Sequence, residues 1–266
     1  MKDEILAALG RNFPWRDRIH YVDTTGSTNT DLKAMANQGA PHGTALIAGS
    51  QSAGRGRLGR SFHSPEGKGL YLSLLLRPDC APGELMHLTC AAGLAACQAV
   101  EDVSPVTSRI KWTNDLVVGR QKLGGILTEL GFTPQGTVDY AIIGIGINCC
   151  HTPEDFPPEL QNMATSLSML TPNAPSRAAL AAALLTRLEE ISRILLTDRA
   201  RILDRYRQRC VTLGQEISLV RPGVPPLHAV GVDLNDQGAL IVRLPDGTEQ
   251  TVSAGEVSIR GMYGYV

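Results

Sequence analysis

Apolar and polar positions along this chain recur with two different periods, and the switches between them mark out its elements. Ile19-His20-Tyr21-Val22 reads as a strand that runs into the polar stretch Asp23-Thr24-Thr25-Gly26-Ser27-Thr28-Asn29. Ser27 or Thr28 is suited to cap a helix from about Asn29 to Asn37, with Leu32, Met35 and Ala36 on one face and Gly39 as its stop. Thr44–Gly49 is strand-like, and the apolar run Leu70–Leu76 suits a buried strand. Met86–Val100 is an Ala/Leu-rich helix. Ser108–Trp112 and Leu116–Val118 are strands around the polar turn Asn114-Asp115, and Lys122–Leu130 and Tyr140–Asn148 are two more. From Arg177 to about Cys210 the pattern is helical, with Leu180, Leu184, Leu188 and Ile191 in register.

The pattern changes after Thr212. Short alternating runs are separated by Asn235-Asp236-Gln237-Gly238, Pro245-Asp246-Gly247 and Gly255-Glu256, which predicts a series of hairpins forming a small barrel or sandwich. The expected organisation is therefore a first unit over residues 1–212 and a second over 213–266. Strands and helices neither alternate strictly nor segregate, which points to an α+β class with a mixed sheet rather than a doubly wound fold.

Composition changes this picture little. With 266 residues and 43% of them hydrophobic, the chain can bury a full core without staples. The formal charge of −1 argues against a dedicated nucleic-acid binder, so any cationic site must be local. There is no run of about 18 apolar residues to span a membrane. The N-terminal apolar run is interrupted by acids, unlike a signal peptide. Cys80, Cys90, Cys97, Cys149, Cys150 and Cys210 form no C-x-x-C pair, so reduced thiols in a cytoplasmic protein are expected.

Four clusters carry candidate chemistry. Gln51-Ser52-Ala53-Gly54-Arg55-Gly56-Arg57-Leu58-Gly59-Arg60-Ser61-Phe62 interleaves glycine with arginine, with no acid inside it. Glycine lets backbone N–H groups converge on an anion, and arginine offers planar charged forks for phosphate or carboxylate. A flexible RG segment that binds nucleic acid non-specifically is the bland alternative; the apolar strand that follows and the neutral remainder favour a clamp for an anionic small molecule. Arg109-Ile110-Lys111-Trp112-Thr113-Asn114-Asp115 sets a cation close to a carboxylate that could seat Mg²⁺, although taken alone it is an ordinary hairpin turn. In Lys122-Leu123-Gly124-Gly125-Ile126-Leu127-Thr128-Glu129, alternation places Leu123, Gly125, Leu127 and Glu129 on one face and Lys122, Gly124, Ile126 and Thr128 on the other. Ile143-Gly144-Ile145-Gly146-Ile147-Asn148 lacks the third glycine of a dinucleotide fingerprint and reads instead as a strand that something packs against closely.

Together these clusters resemble the biotin protein ligases over nearly the whole chain. The residues that carry the likeness are Gly26-Ser27-Thr28-Asn29, the Gln51–Arg60 loop, Lys111-Trp112-x-Asn114-Asp115, Lys122-Leu123-x-Gly125-Ile126-Leu127 and Gly144-x-Gly146-x-Asn148. Gln237-Gly238-Ala239-Leu240 and Gly255-Glu256-Val257-Ser258 resemble the family's small SH3-like domain. The resemblance implies a mixed-sheet catalytic domain related to class II synthetases and lipoate ligases. The implied chemistry is activation of biotin with ATP to biotinyl-5'-AMP, then transfer to a lysine of the biotin carboxyl carrier protein of acetyl-CoA carboxylase. It assigns biotin to Ser27, Thr28, Asn29, Gln51, Arg55, Gly56, Arg57, Lys122, Gly125 and Gly144. ATP or the adenylate falls to Arg57, Arg60, Phe62, Lys111, Asn114 and Asn148, Mg²⁺ to Asp115, and catalysis to Lys122, Arg57 and Lys111. About 18 residues precede the first strand, so the short form without the helix-turn-helix repressor domain is expected, with no DNA or membrane partner, as a monomer or homodimer. Thr113 stands where the family often has proline. A lipoate–protein ligase of the same fold, a biotin-sensing regulator and an RNA-binding protein are the alternatives.

Overall fold

The computed structural model describes residues 1–221, 223–253 and 258–261. Helix α1 (Lys2–Leu9) leads into strand β1 (Ile19–Thr25), helix α2 (Thr28–Asn37), β2 (Ala45–Gln51) and β3 (Gly69–Leu76). Helix α3 (Leu88–Val103) precedes the hairpin β4 (Arg109–Lys111) and β5 (Asp115–Val118), followed by the long strands β6 (Gln121–Phe132) and β7 (Val138–Asn148). These strands form one sheet in the order β1-β2-β3-β7-β6-β5-β4, in which the β1–β2 pair alone is parallel. The short α4 (Leu167–Leu170), then α5 (Arg177–Ile194) and α6 (Arg199–Arg207), close the first part of the chain. Strands β8 (Glu216–Arg221), β9 (Val224–Leu234), β10 (Leu240–Arg243), β11 (Glu249–Val252) and β12 (Ser258–Gly261) form a second, antiparallel sheet in the order β11-β10-β9-β8-β12. The expected Gly255-Glu256 turn lies outside the described residues.

Strand β7 runs through the middle of the first sheet and shows how the two faces divide. Ile143, Ile145 and Ile147 point into the main core, where α3 and α5 pack. On the opposite face Tyr140 and Ile142 join Leu32, Ala36, Leu46 and Leu75 under α2. The next two residues on that face are Gly144 and Gly146, and the cover stops there. Their cross-strand neighbours continue the gap. Ser73 and Leu127 flank Gly144, and Tyr71 and Gly125 flank Gly146, so Gly125, Gly144, Gly146 and Ser73 leave a low floor beside the N-terminus of α2, bordered by Leu127 and Tyr71.

Two expectations are corrected. The helical run to Cys210 is two helices, because Asp198 caps a new one by accepting from the Arg201 N–H, and the chain turns at Leu195–Asp198. The strict alternation along Lys122–Glu129 also fails. Asp115 pairs with Gly125 and Leu116 with Gly124, but Val117 pairs with Lys122, leaving Leu123 as an extra residue. This bulge puts Leu123 in the core and brings Lys122 to the same face as Gly125, where a Cβ would lie 3.4 Å from the Lys122 Nζ.

The second sheet sits against the first part of the chain at identifiable contacts. Indole Nε1 of Trp112 donates to the Gly238 carbonyl at 2.9 Å, and Arg207 pairs with Asp233 at 2.8 Å. The six cysteines are free thiols, all but Cys150 buried.

Candidate functional site

Over the glycine floor lies a cavity of about 470 Å³. Its walls contain Ser27, Thr28, Asn29, Gln51, Arg55, Gly56, Arg57, Arg60, Phe62, Lys111, Asn114, Asp115, Lys122, Gly125 and Gly144. Five distant stretches of sequence therefore meet in one concavity, and every candidate residue but one faces it. Asn148 is the exception. It is buried at the end of β7 and donates to the Thr165 carbonyl at 3.0 Å. The segment it holds brackets Lys122, whose N–H donates to the Met163 carbonyl and whose carbonyl accepts from the Thr165 N–H. Asn148 thus supports the strand carrying Lys122 and does not line the cavity.

One end of the cavity is a hydrogen-bond network. Ser27 occupies the N-cap position of α2, yet its hydroxyl makes no capping bond. The cap comes instead from Gln51, whose Oε1 accepts from the Thr28 N–H at 2.9 Å and the Thr28 hydroxyl at 3.1 Å. Gln51 in turn donates through Nε2 to Ser64 at 3.0 Å, which fixes the orientation of its amide. Asn29 donates to the Leu127 carbonyl at 3.2 Å and to Glu129 Oε2 at 2.8 Å, and its Oδ1 lies 2.6 Å from the Ser73 hydroxyl. A Cβ at Gly144 would overlap Asn29 Oδ1, so glycine there is what gives the amide its room.

The other end is cationic. Arg55, Arg57, Arg60, Lys111 and Lys122 face a single lining carboxylate, Asp115. Lys122 Nζ pairs with Asp115 Oδ1 at 2.7 Å, and Arg57 Nη1 donates to Asn114 Oδ1 at 2.8 Å. Burial pushes the Arg57 guanidinium below its usual value; Asp115 opposes that shift and Arg60 adds to it. Holding so many cations together is unfavourable unless an anion shares the space, so the arrangement suits phosphate and carboxylate oxygens. The glycine- and arginine-rich loop forms the lid. Residues 55 and 61 bridge, Gly56 N–H donates to the Arg60 carbonyl at 2.7 Å, and Phe62 N–H donates to the Gly54 carbonyl at 2.8 Å. A Cβ at Gly54 would lie 2.6 Å from the Ser64 hydroxyl oxygen and overlap the Phe62 carbonyl, so this closure requires glycine. Phe62 lays its ring across Gly146, where a Cβ would sit 2.5 Å from Cε1.

The sequence reading missed several participants. Tyr71, Trp112 and Met163 line the cavity, while Ser73, Ser64 and Glu129 orient residues that do. The loop contains no acid, yet Glu129 answers it from a distance, its carboxylate accepting from Arg55 Nη1 at 3.1 Å across 74 positions. Next to the lid, His151 is fully buried and stacks on Phe156 with ring centroids 4.7 Å apart. Neither of its ring nitrogens has a hydrogen-bond partner among the described residues.

Comparison with known proteins gives a consistent picture. Residues 21–148 match the model of the biotin/lipoate A/B protein ligase family, and residues 212–260 match that of the biotin protein ligase C terminal domain. The chain is 35% identical over 236 residues to the bifunctional ligase/repressor BirA of Bacillus subtilis, covering 88% of this chain and 72% of that protein. It is also 35% identical over 256 residues to the biotin--[acetyl-CoA-carboxylase] ligase of Mycobacterium tuberculosis, covering 94% and 91% of the two chains. Among solved structures, the biotin protein ligase of Aquifex aeolicus in complex with biotin and ATP superposes with a TM-score of 0.76 at 29% identity, covering 91% of this chain and 98% of that one.

Proposed function

The chain belongs to the biotin/lipoate A/B protein ligase family, and on that premise we propose how its site works as a biotin–protein ligase. The enzyme uses ATP and biotin to biotinylate protein. One observation carries the reading of the site: a single cavity joins a neutral network of hydroxyls and amides to a group of cations. That is the division a ureido ring at one end and a carboxylate meeting a triphosphate at the other require. A lipoyl chain has no use for the network around Asn29 and Gln51, which disfavours the lipoate alternative.

A free carboxylate does not acylate an amine at neutral pH, because oxide is too poor a leaving group. In the first step the biotin carboxylate oxygen forms a bond to the α-phosphorus of ATP while the bond to pyrophosphate breaks, giving biotinyl-5'-AMP. Two anions must approach, and preorganised cations at the developing charge supply the acceleration. Lys122 bridges carboxylate and α-phosphate in this reading, exchanging its contact with Asp115 for one with the substrates. Arg57 and Arg60 hold the adenylate and triphosphate, and buried Lys111 adds charge. Asn114 orients Arg57. Phe62 covers the adenylate as part of the lid. In the second step a lysine amine of the carrier protein attacks the acyl carbon and AMP leaves.

Mg²⁺ accompanies ATP, and the donor set fits it in a limited way. Mg²⁺ takes one or two carboxylates with phosphate oxygens and water, and Asp115 is the one carboxylate facing the cavity. Asp115 would hold the ion together with the phosphates, and the ion would screen their charge. Carrier specificity for acetyl-CoA carboxylase, action in the cytoplasm, work as a monomer or homodimer, and a division into functional units at 212/213 belong to the same reading. Among the described residues no helix is long and apolar enough to cross a membrane.

The test is ATP–pyrophosphate exchange with added biotin, lipoate or neither, followed by transfer to a carrier domain. Exchange that depends on biotin alone is expected. Exchange that responds to lipoate instead would reassign the substrate, and exchange with neither would remove the adenylation step.

A further inference from the structure

Glu129 belongs to none of the groups assigned to substrate, yet it touches two of them. It stands on β6 on the cavity face, in line with Ile142. Its Oε2 accepts from the Asn29 amide at 2.8 Å, and its Oε1 accepts from Arg55 at 3.1 Å. The chemistry of the first contact is one-sided. An ionised carboxylate only accepts hydrogen bonds, so Asn29 can turn only its NH₂ toward Glu129. The second N–H of that NH₂ goes to the Leu127 carbonyl, and Ser73 lies against Oδ1. Both Asn29 donors are thus committed to the protein. The hydrogen-bonding capacity left on this amide is an oxygen lone pair, and Asn29 lines the cavity. A ureido ring brings two N–H donors that need acceptors when buried.

We propose that Glu129 is a positioning residue for the ureido end of biotin, which locks the Asn29 amide with its oxygen toward the ligand and holds Arg55 away from the ligand's carboxylate. The inference rests on the biotin reading above. It makes two of the loop's three arginines unequal: Arg57 serves the anions, whereas Arg55 is matched by a fixed acid. It also explains why an acid is tolerated beside a cationic cavity. Without the carboxylate only the Leu127 carbonyl and the Ser73 hydroxyl still hold the Asn29 amide, and the half-turn that sets its NH₂ against the ring's own donors costs less. Glutamine at 129 weakens the lock because it donates as readily as it accepts.

The experiment measures binding of biotin and of biotinamide, without ATP, to the wild-type chain, Glu129→Gln and Glu129→Asp, with thermal unfolding of each variant recorded alongside. Biotinamide keeps the ureido ring and lacks the negative charge. Loss of a charge-assisted contact weakens binding about tenfold or more, and in Glu129→Gln the loss is expected to be at least as large for biotinamide as for biotin, whose carboxylate can recruit the released Arg55. In exchange assays the KM for biotin rises by the same factor while kcat and the KM for ATP stay within about twofold. Glu129→Asp keeps an acceptor-only carboxylate one methylene shorter and recovers at least about threefold of the loss, and unfolding midpoints within a few degrees of each other separate this recovery from a difference in folding. Unchanged binding in Glu129→Gln, a loss confined to biotin, a fall in kcat at constant KM, or Glu129→Asp no better than an equally stable Glu129→Gln each overturns the proposal. Wild-type protein that binds biotin without exchanging pyrophosphate would refute the activity and leave the positioning role readable from binding. Wild-type protein that does not bind biotin refutes both.

Discussion

Adding one methyl group to Gly144 is expected to damage the fold and the substrate site together. Gly144 sits in the central strand of the first sheet, paired on one side with Ser73 and on the other with Leu127. Its backbone is held on both sides and has little freedom to move. The new Cβ would overlap Asn29 Oδ1 and lie 2.8 Å from Asn29 Cγ. Asn29 must then leave, giving up its bonds to Glu129, Leu127 and Ser73. Overpacking of a filled site costs about 1–3 kcal/mol, and a lost hydrogen bond to a charged group about 1.5–3 kcal/mol, so Gly144→Ala destabilises by about 3–5 kcal/mol. For a chain of this size that lowers Tm by roughly 8–15 °C. Gly146→Ala is the control. Its Cβ meets the ring of Phe62, which rides on a surface loop and can swing aside, so Tm stays within about 3 °C while the lid closes less well. Thermal unfolding followed by circular dichroism, with biotin binding measured on both variants, makes the comparison. If Gly144→Ala melts within about 2 °C of wild type, the hydrogen-bonded Asn29 is not the obstacle described here.

Lys122→Ala keeps the fold and loses biotin-dependent exchange by about 10²-fold or more, because it removes a cation whose contact strengthens in the transition state; near-normal exchange in a folded variant removes Lys122 from the chemistry. Arg57→Gly removes one charge-assisted contact, worth about 1.5–3 kcal/mol, so adenylate escapes roughly 10- to 150-fold more readily. Added albumin should then acquire biotin, and a variant that makes adenylate but labels no more albumin than wild type shows that Arg57 is not the latch. His151 gives a pH signature: burial first, then nearby His63 and Lys68, push it down to about 4, with Asp155 opposing. The folded chain therefore stays neutral at His151 while the unfolded chain takes a proton below about 6.5. Stability is lost as pH falls from about 6.5 to about 4, by up to about 3 kcal/mol. His151→Phe keeps a ring against Phe156 and should flatten that part of the denaturation profile; an unchanged profile places the acid sensitivity elsewhere.

Much of this molecule was legible along its sequence, and the exceptions share a cause. Leu70–Leu76 and Tyr140–Asn148 were readable as strands because long apolar or alternating runs have few alternatives. The loop from Gln51 to Phe62 stood out as a candidate anion clamp because arginines and glycines were dense there, and its residues line the cavity. Register was not legible: the bulge at Leu123, which turns Lys122 onto the cavity face, arises from pairing with Val117 and leaves no mark in the local pattern. Long-range partners were equally invisible. Gln51 caps a helix 23 residues before it, and Glu129 answers Arg55 across 74. The break that Asp198 caps was hidden by the periodic leucines before it, which read as one continuous helix. The bond from Asn148 to Thr165 was invisible too, because a polar residue at a strand end looks the same whether it faces a ligand or holds a neighbouring segment.

The contact between Trp112 and Gly238 has a consequence for how the two sheets share stability. Buried Trp112 belongs to the cavity wall, and its indole N–H is fixed by a turn of the second sheet. Whatever binds the cavity and prefers that indole orientation must also favour the docked turn, since one side chain serves both. Linkage is reciprocal, so a ligand that tightens the wall protects Asn235–Gly238 against opening, and a substitution that loosens the turn weakens the ligand. Residues in a surface hairpin far along the chain thereby acquire a thermodynamic share in the first sheet's affinity without touching what is bound there.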